Sequence, residues 1–145
     1  MKSVHPGFGG LLLHVLLTSV FVSPSFGDLE AEVTRVFVFA GQSNMVGSDS
    51  NPADIEHFPP FAGLDAPQSK VRFSYVIGRE TQSRSDGWVG LQPVNGVVGP
   101  ELSFARKVSD RTREPIAIIK CAAGGTHLGG DWNPDEPSGF EMYPL

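Results

Sequence analysis

A serine acts as a nucleophile where a base can take its proton and hydrogen-bond donors can hold the oxyanion that forms. Ser43 stands in "FAGQSNMVG", directly after an apolar run, with Gly41 permitting a sharp turn and the amides of Gln42 and Asn44 on either side. The N–H groups of such a turn, that of Ser43 included, can supply part of an oxyanion hole, while Gln42 and Asn44 can orient the loop or a substrate. The same residues also fit a plain polar turn in which Ser43 and Asn44 bond back to the main chain. A second cluster, "CAAGGTHLGGDWNP", follows another apolar run and sets Gly124, Gly125, Thr126 and His127 at a strand end. No Gly-Lys-Ser/Thr follows either glycine cluster, which argues against a phosphate cradle. His127 fits a substrate contact, simple exposure or a local acid/base role, and His57 in "IEHFPPF" reads as a loop residue. Two distant histidines and scattered carboxylates form no metal-ligand set, so neither metal nor cofactor is expected.

Positioning these residues requires strands that end together. Val36 to Ala40 ("VFVFA") and Ile116 to Cys121 ("IAIIKC") are apolar on both faces, as central parallel strands covered by helices are. Between them "GPELSFARKVSD" carries helix signals: Gly99 to cap, Pro100 at the first helical position, Glu101 at the positive end, and Arg106 and Lys107 at the negative end. Leu102, Ala105 and Val108, with Phe104 beside them, form a face that can pack on a sheet. Strand, helix and strand in that order give an α/β class and a crossover unit, whose strand ends share the carboxyl edge where ligands bind in open sheets. The intervening stretch is rich in Pro, Gly, Asp and Ser apart from "VRFSYVIG". That segment puts Val71, Phe73, Tyr75 and Ile77 on one face and, with "GWVGLQPV", predicts a small hairpin over the site.

The chain has 145 residues, 40% of them hydrophobic and 19% charged, within the range of a single globular domain. Lys2, the apolar run Leu11 to Val22 and the small residues Ser25 and Gly27 predict a secretory signal cleaved after Gly27, taking His5 and His14 with it. The run is short of the ~20 residues a membrane span needs, so no stable insertion is expected after cleavage. Residues 28–145 form the predicted domain, in a secreted or periplasmic location. A net charge of −5 and the lack of a basic stripe argue against nucleic acid as a partner. The single cysteine, Cys121, excludes an intramolecular disulfide and reads as a buried, inert thiol.

At "FAGQSNMVG" the sequence resembles the sialate O-acetylesterase domain, a carbohydrate-esterase branch of the SGNH hydrolases. The likeness continues in the same order through "GVVGPELSFARKV" and "IAIIKCAAGGTHLGGDWNP", covering most of Arg35 to Pro134. It implies a flavodoxin-like three-layer fold, here incomplete, with the first two core strands, one crossover helix and an inserted hairpin. It also implies Ser43 as nucleophile, Gly124 or Gly125 beside the Ser43 N–H as oxyanion hole, Gln42, Asn44, Thr126 and His127 as substrate contacts, and an O-acetylated carbohydrate such as acetylated sialic acid or xylan as substrate. Such domains continue with a third strand ending in a Trp-Gln-Gly-Glu-like block and, near the end, an Asp-x-x-His block that holds the base; neither block follows Pro134. The expectation is therefore an amino-terminal portion of an esterase domain with little activity of its own. The alternative expectation is a non-catalytic extracellular sugar-binding or interaction module that uses Trp88 and Trp132 as stacking surfaces.

Overall fold

The computed structural model describes residues 33–79, 82–136 and Met142, all within the compact unit Ala31–Leu145. The expected leader, residues 1–27, lies outside the described residues. Along the chain come β1 (Arg35–Gly41), the one-turn helix α1 (Ser43–Val46), two 3₁₀ turns (Pro52–His57 and Pro59–Phe61), β2 (Gln68–Ile77), β3 (Ser83–Arg84), β4 (Val89–Leu91), α2 (Pro100–Ser109) and β5 (Ile116–Ala122).

The two apolar runs become adjacent parallel strands in a register that is unbroken from Arg35↔Ile116 to Gly41↔Ala122. Alternation along β1 sends Phe37 and Phe39 to one face and Val36 and Val38 to the other. The phenylalanines meet Phe104 of α2 edge-on, at ring-centroid distances of 4.9 and 5.2 Å, an arrangement that suits the ring quadrupole. Leu102 and Ala105 of α2 join Val71, Phe73, Leu91, Ile116 and Ile118 in the main core, which Ile55 and Leu64 of the loop after α1 complete. The helix signals of α2 fall where the sequence puts them: Gly99 is the N-cap, Pro100 opens the helix, and Arg106 and Lys107 lie in its last turn.

The α/β class holds, and one element takes a larger part than expected. The segment around "VRFSYVIG" does pair antiparallel with the "GWVGLQPV" limb, Phe73 opposite Val89 and Arg72 opposite Gly90. On its other edge, however, it runs parallel to β5 from Val71↔Ile116 to Ile77↔Ala122, so it is a core strand rather than a hairpin over the site. The sheet order is β1-β5-β2-β3, with β4 also on β2. Burial explains the choice: Val71 and Phe73 need a covered face, and the core shared with Leu102 and Ala105 of α2 supplies it. β5 is thereby central, and β1 is an edge whose outer side has no strand partner among the described residues. No helix among the described residues is long and apolar enough to cross a membrane.

Candidate active site

Because β1 and β5 run parallel and in register, their carboxyl ends reach the same edge of the sheet. The Ala123 N–H donates to the Gly41 carbonyl at 3.0 Å, which ties the two exits together just before the Gln-Ser-Asn turn and the glycine loop begin. Gln42 occupies the N-cap position of α1 through its carbonyl, which accepts from Met45 and Val46 at 2.8 and 3.0 Å; its side chain makes no cap bond. Ser43 is the first helical residue and half-buried, and Asn44 is exposed beside it. The first N–H groups of a helix have no acceptor within it, and among the described residues those of Ser43 and Asn44 donate to no other backbone carbonyl, which leaves them able to meet a ligand from this edge. At the other end the Ser43 carbonyl accepts from Gly47 and Ser48, with Gly47 in the left-handed region at φ 92°. A Cβ at Gly47 would collide with the Val98 carbonyl, so both backbone angle and space demand glycine there. Among the described residues, neither the Ser43 hydroxyl nor the Asn44 amide bonds back to the main chain, so the turn is closed by backbone bonds alone.

The glycine loop divides into a part that faces outward and a part that holds the loop. Gly124 is half-buried with open space where a side chain would stand. Gly125 has φ +70°, and its carbonyl accepts from Arg79 at 3.4 Å. Thr126 is buried, and its hydroxyl is committed within the loop, donating to Ala123 O at 2.8 Å and accepting from the Trp132 indole at 3.0 Å. That leaves it a shaping part in the loop. Trp132 in turn packs with Cys121, Ala123 and Met142 on the face of the sheet opposite α2. The His127 side chain is 75% exposed; its Nδ1 lies 3.2 Å from Asp131 Oδ2, and its backbone N–H donates to the same oxygen at 2.9 Å. A nearly buried carboxylate thus orients an exposed imidazole, and the ring lies close over Gly130, where a side chain would make it shift. Cys121 is buried and burial pushes its thiol up, which suits an inert side chain.

Two features escape a reading of the sequence. An Asp-x-x-His spacing does occur, as Asp54 to His57 in the first 3₁₀ turn, but Nδ1 and Oδ1 are 4.0 Å apart and both side chains are mostly exposed. That separation is too long for a hydrogen bond. The pair lies on the rim of a cavity of about 600 Å³ shared with Asp49, Phe58 and Phe61; Ser43 is not on its wall. The second feature is Lys120, buried in β5 and paired with Glu101 of α2. A lysine inside "IAIIKC" is the signal, since a charge there needs a partner. No three His, Cys, Asp or Glu side chains converge as a metal site among the described residues.

Residues 33–144 match the family described as carbohydrate esterase, sialic acid-specific acetylesterase. A crystal structure of a protein from Arabidopsis thaliana aligns with 22% identity and a TM-score of 0.44, covering 70% of this chain and 45% of that one. The chain therefore spans less than half the length of that relative. No curated protein matches.

Proposed function

The chain belongs to the carbohydrate esterase family of sialic acid-specific acetylesterases, and from that premise we propose that it is an exported serine esterase acting on O-acetylated carbohydrates, with Ser43 as nucleophile. The observation that carries the proposal is the joining of the two strand ends, Ala123 N–H to Gly41 carbonyl at 3.0 Å, with Ser43 opening a helical turn on one side and Gly124 and Gly125 following on the other. In the proposed reaction Ser43 Oγ attacks the acetyl carbonyl as a base takes its proton. The N–H groups of Ser43 and of Gly124 or Gly125 hold the oxyanion, and the sugar oxygen leaves with a proton. Water then releases acetate from the acyl-serine. Gln42, Asn44 and His127 are the proposed substrate contacts, all exposed or at the rim; Thr126 supports them by shaping the loop.

No base is hydrogen-bonded to the Ser43 hydroxyl among the described residues, so the expected turnover is weak. Donors and binding alone leave about 10³–10⁴-fold over water when a triad member is not in place. The test is acetate release from O-acetylated sialic acid and from acetylated xylan by the 145-residue chain and its Ser43→Ala variant, together with fluorophosphonate labelling. Labelling that depends on Ser43 supports the proposal; equal labelling of Ser43→Ala ends it. The half-exposed Trp88 favours a second reading, a non-catalytic sugar-binding module. Sugar binding that survives Ser43→Ala and is lost in Trp88→Ala, without acetate release, would favour that reading.

A further inference from the structure

We infer that Lys120 and Glu101 form a buried brace that holds the Ser43 turn in place, which makes Lys120 a positioning residue for the reaction proposed above; the inference rests on that reading. Lys120 and Glu101 are 1% and 2% exposed, and Lys120 Nζ lies 2.8 Å from Glu101 Oε2. The same ammonium donates to the Val46 carbonyl at 3.2 Å. Val46 is the last residue of α1, where the carbonyls have no intrahelical donor and a positive charge is favourable. Three elements therefore meet at one nitrogen: β5 carries it, the first turn of α2 neutralises it, and the end of the nucleophile's turn accepts from it.

The surrounding backbone is cut to fit this arrangement. A Cβ at Gly99 would overlap both Glu101 Oε2 and Lys120 Nζ, and one at Gly47 would collide with Val98 O, so two glycines let the end of α1 approach the start of α2 over the ion pair. Desolvation holds the Lys120 pKa below the ordinary lysine value, and Glu101 opposes that shift. Packing alone does not call for these residues. A buried ion pair replaced by apolar side chains of similar volume is often as stable or more so. What the apolar pair cannot do is donate to Val46 O. That bond fixes a turn of four residues whose other end is Ser43, and a displacement of about 1 Å at a reacting atom can cost about 100-fold in rate.

The experiment compares the full chain with Lys120→Met and with the double variant Glu101→Leu/Lys120→Met, which removes the pair without leaving a lone buried charge. Two quantities are read: amide hydrogen exchange at Met45, Val46 and Gly47 against Ile118 in β5, and the rate of fluorophosphonate labelling at Ser43. The brace predicts that in the double variant exchange of the three α1 amides speeds up about tenfold while Ile118 stays protected, and that Ser43 labelling falls up to about 100-fold. Wild-type exchange at Met45 to Gly47, or labelling at the wild-type rate, overturns it. A uniform rise at α1 and Ile118 alike overturns it too, since the pair would then serve global stability. If the wild type does not label at Ser43, the esterase reading fails, and the α1 exchange still decides whether the brace exists.

Discussion

β1 and β5 are each seven residues long, both mostly apolar, and paired residue for residue in parallel, yet their surroundings are opposite. Every β5 residue except Ile119 is buried, whereas no residue of β1 is, and Val38 is 69% exposed. The difference comes from place and not from composition. β5 has strands on both edges, α2 on one face, and Trp132 and Met142 over Cys121 on the other. Among the described residues β1 has one strand neighbour, and its Phe37 and Phe39 are covered where they meet Phe104. An apolar run therefore announces a strand without saying how completely it will be covered. The proposed roles divide along the same line: the edge strand leads into Ser43, and the central strand carries the buried Lys120 that donates to the Val46 carbonyl.

The largest test of this contrast is truncation at one position in each strand. Ile118→Ala opens a cavity in the fully buried core of β5 and is expected to cost about 2–5 kcal/mol in denaturant unfolding. Val38→Ala removes methyl groups already in water and is expected to change stability by less than about 0.5 kcal/mol. Equal losses at the two positions would mean that β1 is covered in solution as β5 is.

Thiol chemistry reads the same contrast kinetically. Cys121 is buried and its pKa is raised by desolvation, so little thiolate is present or reachable at neutral pH. A cysteine moved to the exposed face of β1, in Cys121→Ser/Val38→Cys, should react with a maleimide at least about 100-fold faster than Cys121 in the native chain, because only the latter waits on an opening event. Similar rates would erase the distinction between the strands.

Much of this arrangement is legible in the sequence. The paired runs, the capped helix with its Leu102 and Ala105 face, and a serine at a strand exit all follow from periodicity and turn chemistry, which are local. β2 is misplaced by such reasoning because Val71, Phe73, Tyr75 and Ile77 on one face suit a hairpin and a parallel strand equally, and only β5, some forty residues later, settles the matter. The Lys120–Glu101 contact is hidden for the same reason: nineteen residues separate the partners, and they meet only once α2 has packed on β5. Thr126 illustrates a third limit, since a hydroxyl beside a glycine loop looks available until the Trp132 indole is found bonded to it.

A smaller effect is expected at the outer side of β1. Unpaired strand edges with apolar faces are templates for association, and natural edges are blunted by lysine. Val38→Lys should leave unfolding unchanged and lower the weight-average mass seen by light scattering as concentration rises. A monomer at all concentrations in the unsubstituted chain would show that the edge needs no such protection.

The smallest effect is expected where the two strands begin. Arg35 opens β1, and its guanidinium pairs with the Glu114 carboxylate just before β5; both side chains are well exposed. The hydrogen bond and charge of Arg35 hold the Glu114 carboxyl below its ordinary value of 4.5, and Glu114 raises Arg35 in return. The folded state thus binds the Glu114 proton less tightly than the unfolded chain does. The contribution is fully present above the unfolded value of 4.5 and is lost as the pH falls through the lowered folded value. Glu114→Gln should therefore match the wild type at strongly acid pH and fall slightly below it at neutral pH, by a margin that shrinks further as salt screens the pair. The margin stays small because the register does not depend on it: the Arg35 N–H already donates to the Pro115 carbonyl at 2.8 Å, and six further residue pairs follow along the two strands. A neutral-pH loss as large as that of Ile118→Ala would mean that the strands are fixed at their exposed beginnings, and not by the buried run of β5.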